Sequence, residues 1–221
     1  MQTKLRLGLG PSYRPRSRPR KKPGPQKALP QPARQAWVFS DAARLADWQG
    51  AVVRHRPTGI ILRDYRAKDR AAQAADMRAF LATMRRPTAF SIAGDARLAR
   101  RHKASFHCPS HLVAQPSRRL ARATSRDSAA VHTMRQLLAA KRAGFGRVFI
   151  SPIFATASHP EARALGPLRA RQLALAARRF GLAPLALGGM SGRALRRLNG
   201  ADSPQACAFI GYGAIAAFGE Q

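Results

Sequence analysis

Acidic residues are scarce in this chain. Its 221 residues include forty Lys and Arg but only ten Asp and Glu, which gives a formal net charge of +30. Such a charge attracts polyanions, acidic surfaces and small anionic substrates alike, so it does not select one class of partner. Nearly all of the excess is Arg spread along the whole chain, which the compositional bias of an Arg-rich proteome would also produce.

Cysteine is also scarce, and long apolar runs are missing. Cys108 and Cys207 lie far apart in the sequence and form neither a metal-binding spacing nor a disulfide framework. No apolar run approaches the ~18 residues that span a bilayer, and the N-terminus lacks the apolar core and cleavage site of a secretory signal. We therefore expect no membrane partner and a cytoplasmic location, where thiols stay reduced.

Residues 1–35 differ in composition from the rest of the chain. They contain ten Lys or Arg, seven Pro and no acidic residue. A segment of this kind cannot bury a core and repels itself, so we predict a disordered basic tail over 1–35 and one folded domain over 36–221. We favour an unselected extension or a misplaced start site over nucleic-acid binding through this tail.

From residue 36 onward, short apolar runs alternate with longer Ala, Arg and Leu segments of helical period. The eight candidate strands are 37–39, 59–62, 89–92, 104–107, 129–132, 147–150, 184–187 and 206–210. Eight strand–helix units favour parallel strands, right-handed crossovers and closure of the sheet. We therefore predict an α/β fold, a single (β/α)8 TIM barrel, with an open doubly wound sheet as the structural alternative.

Glycine-containing segments follow the seventh and eighth predicted strands. Gly188 and Gly189 form one of them, and Gly211, Tyr212 and Gly213 form the other. Backbone amides at the start of a helix can approach an anion, and barrels of this class often hold phosphate in the loops after strands 7 and 8. We predict a phosphate site there; the alternative is that each glycine only permits a tight turn.

Charged and polar residues follow four other strands, at the same predicted rim. Arg63 suits bidentate capture of phosphate, although the chain has many surface Arg residues. Asp95 could hold Mg²⁺, cap the next helix, or do both. His107 and His132 could each act as a general acid or base, or be structural.

The loop after the sixth strand is rich in hydroxyl groups and ends in His-Pro. Its candidate hydrogen-bond donors toward a diphosphate are Thr156, Ser158 and His159. An ordinary turn with an exposed His159 would have the same composition. The longer segment that contains these residues favours the hydrogen-bonding role.

Residues 149–160, Phe-Ile-Ser-Pro-Ile-Phe-Ala-Thr-Ala-Ser-His-Pro, resemble a loop of the thiamine phosphate synthase family and its sister group, the thiazole tautomerases. That family loop reads roughly Ser/Gly-Pro-Val-Phe-x-Thr-x-Ser/Thr-Lys/His-Pro. Residues 186–190, Ala-Leu-Gly-Gly-Met, are similar to the family's Ala-Leu/Ile-Gly-Gly-Ile. Residues 62–65 and 130–133 resemble its Leu-Arg-Glu-Lys and Ser-Val-His-Ser elements, and the matches follow the family's order along the chain.

The resemblance implies an activity and roles for individual residues. Family synthases are transferases of thiamine biosynthesis that join an aminopyrimidine diphosphate to a thiazole phosphate and release pyrophosphate. By position, it implies that Arg63 contacts the diphosphate, that Asp95 binds Mg²⁺, and that Thr156 and Ser158 lie near the substrates. The residues implied to present backbone N–H groups to the thiazole phosphate are Gly188, Gly189, Tyr212 and Gly213.

The chain departs from the family pattern mainly at the diphosphate end. Ile61 replaces a Gln, Tyr65 replaces a diphosphate-binding Lys, and Gly94 replaces an Asn. The second metal-binding Asp has no counterpart in residues 106–111, and His159 stands in place of a Lys. The phosphate end keeps the family's residues.

Four functions stay open on this basis. We favour a divergent thiamine phosphate synthase in which Arg63, Asp95, Ser158 and His159 form a reduced clamp. A thiazole tautomerase-like isomerase, in which His132 moves a proton, needs only the phosphate site. A non-catalytic paralogue that binds a phosphorylated ligand and a nucleic-acid binder that acts through the tail are the other two. The sequence does not indicate an oligomeric state.

Overall fold

In the computed structural model, the described residues are 35–40, 45–65, 68–113, 123–156, 163–200, 207–215 and 218. The strands among them are β1 (Gln35–Ser40), β2 (Gly59–Leu62), β3 (Ala89–Ala93), β4 (Ser105–Cys108), β5 (Ser128–Val131), β6 (Arg147–Ile150), β7 (Ala183–Leu187) and β8 (Gly211–Ala214). The helices among them are α1 (Trp48–His55), α2 (Arg70–Ala82), α3 (Ala96–Arg101), α4 (Ser110–Val113), α5 (Met134–Ala143), α6 (Pro167–Arg179) and α7 (Gly192–Asn199). Residues 1–34 of the predicted tail lie outside the described residues.

The eight strands close into a parallel barrel in sequence order. β1 pairs with both β2 and β8, so the sheet has no free edge. This confirms the predicted (β/α)8 barrel and excludes the open sheet. The C-terminal ends of all eight strands meet at one end of the barrel, which we call the rim, and the loops that follow the strands lie there. None of the described helices is both long and apolar enough to span a bilayer.

Aromatic rings fill the barrel interior. Phe39 and Phe149 pack edge to face with ring centroids 5.1 Å apart, and each also packs edge to face against His107. The imidazole is buried, and its Nδ1 lies 2.9 Å from the hydroxyl of Ser128. Burial, with a smaller effect from the charge of Arg63, lowers the pKa of His107 to about 3. His107 is therefore a neutral core residue.

The last strand lies later in the chain than predicted. The prediction placed it at 206–210, whereas β8 begins at Gly211. The side chain of Asn199 forms with the Phe209 backbone the two hydrogen bonds that a neighbouring strand would otherwise form. Its Nδ2 donates to the Phe209 carbonyl at 2.9 Å, and its Oδ1 accepts from the Phe209 amide at 3.0 Å. Because its backbone groups are already paired, buried Phe209 joins the core without joining the sheet.

Candidate active site at the rim

The turn after β7 is in direct backbone contact with the loop after β6. Gly188 and Gly189 have φ values of 92° and 65°, which side-chain-bearing residues rarely adopt. A Cβ atom on Gly188 would lie 2.8 Å from Cα of Pro152, and one on Gly189 would lie 2.9 Å from Cβ of Phe154. Both glycines are therefore required by conformation and by space.

Two backbone hydrogen bonds tie the same two loops together. The amide of Ile153 donates to the carbonyl of Leu187 at 3.0 Å, and the amide of Phe154 donates to the carbonyl of Gly188 at 3.2 Å. The peptide before Pro152 is cis. Thr156 is half-buried two residues beyond Phe154, while the predicted site residues Ser158 and His159 lie outside the described residues.

The turn after β7 leads directly into α7. The hydroxyl of Ser191 accepts from the amide of Ala194 at 3.2 Å and caps the helix. The first amides of a helix carry a partial positive charge, and here they open toward the rim beside Gly188 and Gly189. Amides at the start of α7 suit an anion, and phosphate binding after strand 7 stays a prediction.

Tyr212 and Gly213 lie inside β8 rather than in the loop after it, so their predicted position is wrong. A Cβ atom on Gly213 would lie 2.7 Å from Cε2 of Phe39, so Gly213 faces the barrel interior. Neighbouring residues of a strand face opposite sides, and Tyr212 accordingly stacks on Phe218 outside the barrel. The centroids of the two rings lie 6.1 Å apart. The hydroxyl oxygen of Tyr212 lies 3.9 Å from the Cβ position of Gly192, at the start of α7. The phosphate-binding role of both residues stays a prediction.

His132 follows β5 and is fixed through its backbone and its ring. Its amide donates to Oε1 of Gln136 at 2.7 Å, and Nε2 of Gln136 donates to the carbonyl of Ser110 at 3.2 Å. Its Nδ1 contacts the carbonyl oxygen of Ser151. Because a carbonyl only accepts hydrogen bonds, Nδ1 must carry a proton, and Nε2 is the basic nitrogen of the neutral ring.

Arg63 and Asp95 lie on the neighbouring strand ends of β2 and β3. The backbone amide of Arg63 donates to the hydroxyl of Ser40 at 3.1 Å. Oδ1 of Asp95 accepts from the amides of Arg97 and Leu98, at 3.0 and 2.9 Å, and so caps α3. The capping role that the sequence left open for Asp95 is therefore confirmed.

The barrel order divides the predicted residues into two groups. Arg63 and Asp95 belong to the β2–β3 side of the rim, whereas His132, Thr156 and the two glycines belong to the β5–β7 side. A ligand phosphate held on the β5–β7 side and a charged ligand group held on the β2–β3 side would together span the mouth of the barrel.

Comparison with protein families matches residues 36–207 to the thiamine monophosphate synthase model. The chain belongs to this family. A thiamine phosphate pyrophosphorylase from Pyrococcus furiosus has the same fold, with a TM-score of 0.65 at 16% sequence identity. The alignment covers 85% of this chain and 88% of that one.

Two further comparisons add nothing to the family assignment. A cube-shaped, highly porous protein cage, designed by fusing symmetric oligomeric domains, is 14% identical with a TM-score of 0.49. That alignment covers 83% of this chain and 64% of the other. No curated protein matches this chain.

Family synthases are expected to use Mg²⁺, which the described residues could bind only incompletely. Among them, no group of three or more His, Cys, Asp or Glu could hold a metal ion. After β4, burial raises the pKa of the Cys108 thiol to about 12, and the Ser110 carbonyl already accepts from Gln136. Mg²⁺ is often bound by one or two carboxylates together with substrate phosphates and water. Asp95 offers one carboxylate of this kind, and its role as a Mg²⁺ ligand stays a prediction.

A groove lies beside the predicted site rather than at its centre. It has a volume of about 260 Å³ and is lined by Phe154, Pro167, Ser191, Arg193, Ala194, Arg197 and Leu198. These residues come from the loop after β6 and from α6 and α7 with its cap. Of the predicted ligand residues that the structure describes, none lines the groove.

Sequence reasoning missed two residues that shape the rim. Gln136 links the loops after β4 and β5, and its only sequence signal is its place four residues after His132, on the first turn of a capped helix. Arg70 reaches the end of β3 from the start of α2. In a chain with forty basic residues, no sequence pattern distinguishes that Arg from the others.

Proposed function

We propose that this protein is a divergent thiamine phosphate synthase. It would join an aminopyrimidine diphosphate to a thiazole phosphate and release pyrophosphate. The observation that carries the proposal is the turn at Gly188 and Gly189, packed on the loop after β6 and opening into α7. Backbone amides held in this way suit the phosphate of the thiazole substrate.

The reaction needs a leaving group stabilised on one side of the mouth and a nucleophile held on the other. The carbon–oxygen bond to the diphosphate breaks, and its electron pair leaves with pyrophosphate. The thiazole nitrogen then donates its lone pair to the pyrimidine methylene carbon and forms the new carbon–nitrogen bond. Catalysis of this kind depends on orientation of the two partners and on stabilisation of the leaving charge.

The residues of this chain divide these tasks by position. Arg63 would place a guanidinium against the leaving diphosphate, which suits its fixed charge and planar donors. Thr156, Gly188 and Gly189 would orient the thiazole phosphate on the opposite side. Ser158 and His159 would complete the diphosphate contacts. Mg²⁺, held by Asp95 together with substrate oxygens, would neutralise diphosphate charge.

The decisive experiment is formation of thiamine phosphate and pyrophosphate from the two purified substrates with Mg²⁺. Arg63→Gln is expected to lower kcat/KM by about 100-fold, the usual effect of removing a charge-stabilising donor. Arg171→Gln is the matched control, because Arg171 donates to the Leu198 carbonyl, links α6 to α7 and is not one of the predicted site residues. Ligand binding without any product would instead indicate a non-catalytic paralogue.

The geometry of His132 supports a second candidate, a thiazole tautomerase-like isomerase. Its Nδ1 is fixed against the Ser151 carbonyl, which leaves Nε2 as a base at the rim. Such a reaction moves a proton on a thiazole phosphate carboxylate and needs no diphosphate clamp. If isomerisation occurs and His132→Gln abolishes it while Arg63→Gln does not, the isomerase replaces the synthase as the function.

A further inference from the structure

The groove beside the predicted site runs from the start of α6 along α7 and is mainly apolar. Its apolar lining residues are Phe154, Pro167, Ala194 and Leu198. Its volume of about 260 Å³ is below the roughly 300–1,000 Å³ of pockets that enclose drug-sized ligands. The groove therefore suits one or two apolar side chains of a larger partner better than a complete small molecule.

Two exposed leucines of α6 adjoin this groove. Leu168 is 74% exposed and Leu175 is 41% exposed. Arg171 lies three residues after the first leucine and four before the second, so all three share one side of the helix. Nη1 of Arg171 donates at 2.7 Å to the carbonyl of Leu198, which lines the groove. Because that side of α6 is next to α7, the leucines extend the apolar surface of the groove outward.

Two exposed arginines of α7 line the same groove. Arg193 and Arg197 lie four residues apart on one side of the helix, a spacing at which like charges repel each other. Among the residues that the structure describes, no Asp or Glu follows Asp127. The described carboxylates belong to Asp47, Asp64, Asp69, Asp76, Asp95 and Asp127. A uniform excess of Arg would not produce this division, so the charge on α7 favours an anionic partner.

The combination of exposed leucines and arginines indicates the kind of partner. A second copy of the chain, paired symmetrically, would bring the same basic side chains against each other. Single-stranded nucleic acids stack their bases on aromatic side chains, and a duplex is held through its phosphates, so neither would use the leucines. An acidic protein segment uses both features, because its carboxylates pair with guanidinium groups and its apolar side chains enter the groove.

We propose that the groove residues, together with Leu168 and Leu175, form a docking surface for an acidic segment of a partner protein. We call it the α6–α7 surface. Carboxylates of the partner contact Arg193 and Arg197, and its apolar side chains pack in the groove and on Leu168. None of the predicted ligand residues that the structure describes belongs to this surface. The inference is therefore independent of the synthase proposal.

The test is a fluorescence anisotropy titration of the full-length protein into the labelled peptide Glu-Glu-Glu-Leu-Phe-Leu-Glu-Glu-Glu at low ionic strength. Leu168→Ser changes no charge and is expected to raise Kd about tenfold, because it removes an apolar contact of the docked peptide. Arg193→Gln and Arg197→Gln are each expected to raise Kd about fivefold. All three side chains are exposed, so the variants are expected to keep the wild-type Tm.

Matched variants separate this surface from the net charge of the chain. Val53→Ser changes an exposed apolar side chain of α1, and Arg100→Gln removes an exposed charge from α3. Both are expected to keep the wild-type Kd, and residues 1–35 are the same in every variant. The peptide Glu-Glu-Glu-Ser-Ser-Ser-Glu-Glu-Glu has the same charge without the apolar centre, and is expected to bind about tenfold more weakly.

Several results would overturn the proposal. They are absence of peptide binding, a wild-type Kd in Leu168→Ser, and equal losses in Leu168→Ser and Val53→Ser or in Arg193→Gln and Arg100→Gln. A single-stranded RNA oligonucleotide and phosphatidylserine vesicles are titrated in parallel. If either binds more tightly than the peptide and loses affinity in Leu168→Ser, the surface belongs to nucleic acid or to a membrane instead.

Discussion

Replacing Gly188 with Ala tests the backbone contact on which the proposed phosphate site depends. The φ of 92° places this residue in a region that costs a side-chain-bearing residue about 1–2 kcal/mol. The added methyl group would also lie 2.8 Å from Cα of Pro152, which is backbone and cannot rotate away. Forcing an extra methyl into a packed site costs about 1–3 kcal/mol. The expected loss of unfolding free energy is therefore about 2–5 kcal/mol.

Gly181→Ala is the matched control for this variant. Gly181 also has a positive φ, of 75°, but its nearest neighbour in space is the flexible Lys141 amine, at 3.9 Å. Gly181→Ala therefore has the conformational cost without the clash, and its unfolding free energy is expected to fall by about 1–2 kcal/mol. For a domain of this size each kcal/mol lowers Tm by about 2–4 °C, so thermal unfolding followed by circular dichroism resolves the two variants. Equal Tm values for Gly188→Ala and Gly181→Ala would refute the backbone contact.

Three further predictions concern the core. His107→Gln should remove a pH dependence of the unfolding free energy. Because the fold depresses the His107 pKa to about 3, the contribution of the neutral ring to stability is complete above about pH 6.5. It is lost as the pH falls toward 3, at up to about 1.4 kcal/mol per pH unit. Urea unfolding from pH 4 to 7 should show this slope in wild type and a shallower one in the variant; parallel curves would contradict it. Asn199→Ala should cost about 2–4 kcal/mol, because two buried backbone groups of Phe209 lose their partners, and a loss below about 0.5 kcal/mol in urea would count against this pairing. In the native protein a thiol reagent should modify Cys207 and spare Cys108, whose buried thiol has a raised pKa, with both reacting in denaturant; rapid native labelling of Cys108 would disprove its burial.

The barrel could be predicted because its strands and helices alternate with a simple period. Hydrophobic runs identify a buried parallel strand wherever it lies in the chain, and the first seven strands occur close to their predicted places. The eighth strand has the sequence Gly-Tyr-Gly-Ala, which local preferences assign to a turn. Only the packed barrel shows why glycine is needed there, since Phe39 and Phe149 occupy the space beside Gly213.

The same distinction applies to the rim. The glycines after β7 are visible in the sequence because backbone geometry restricts that position to one residue type. The contribution of Arg70 is invisible, because it depends on where one of many arginines ends in space. His107 and His132 also look alike in the sequence, at the ends of consecutive strands. The structure separates them, because one ring faces the barrel interior and the other faces a loop carbonyl.

The two sides of the rim are built from different kinds of contact, and this bears on how the chain could diverge within its family. On the β5–β7 side, loops meet through backbone atoms, so a substitution at Gly188 disturbs the fold together with the ligand site. On the β2–β3 side, Tyr65 and Arg70 pack as side chains on a glycine turn, and half of the tyrosine remains exposed. Exposed side chains can be exchanged at little cost in stability, whereas buried backbone contacts cannot. Departures from the family pattern are therefore expected among the exposed side chains of the β2–β3 side. Tyr65 and Gly94 differ there from the family's Lys and Asn, whereas Gly188 and Gly189 are kept.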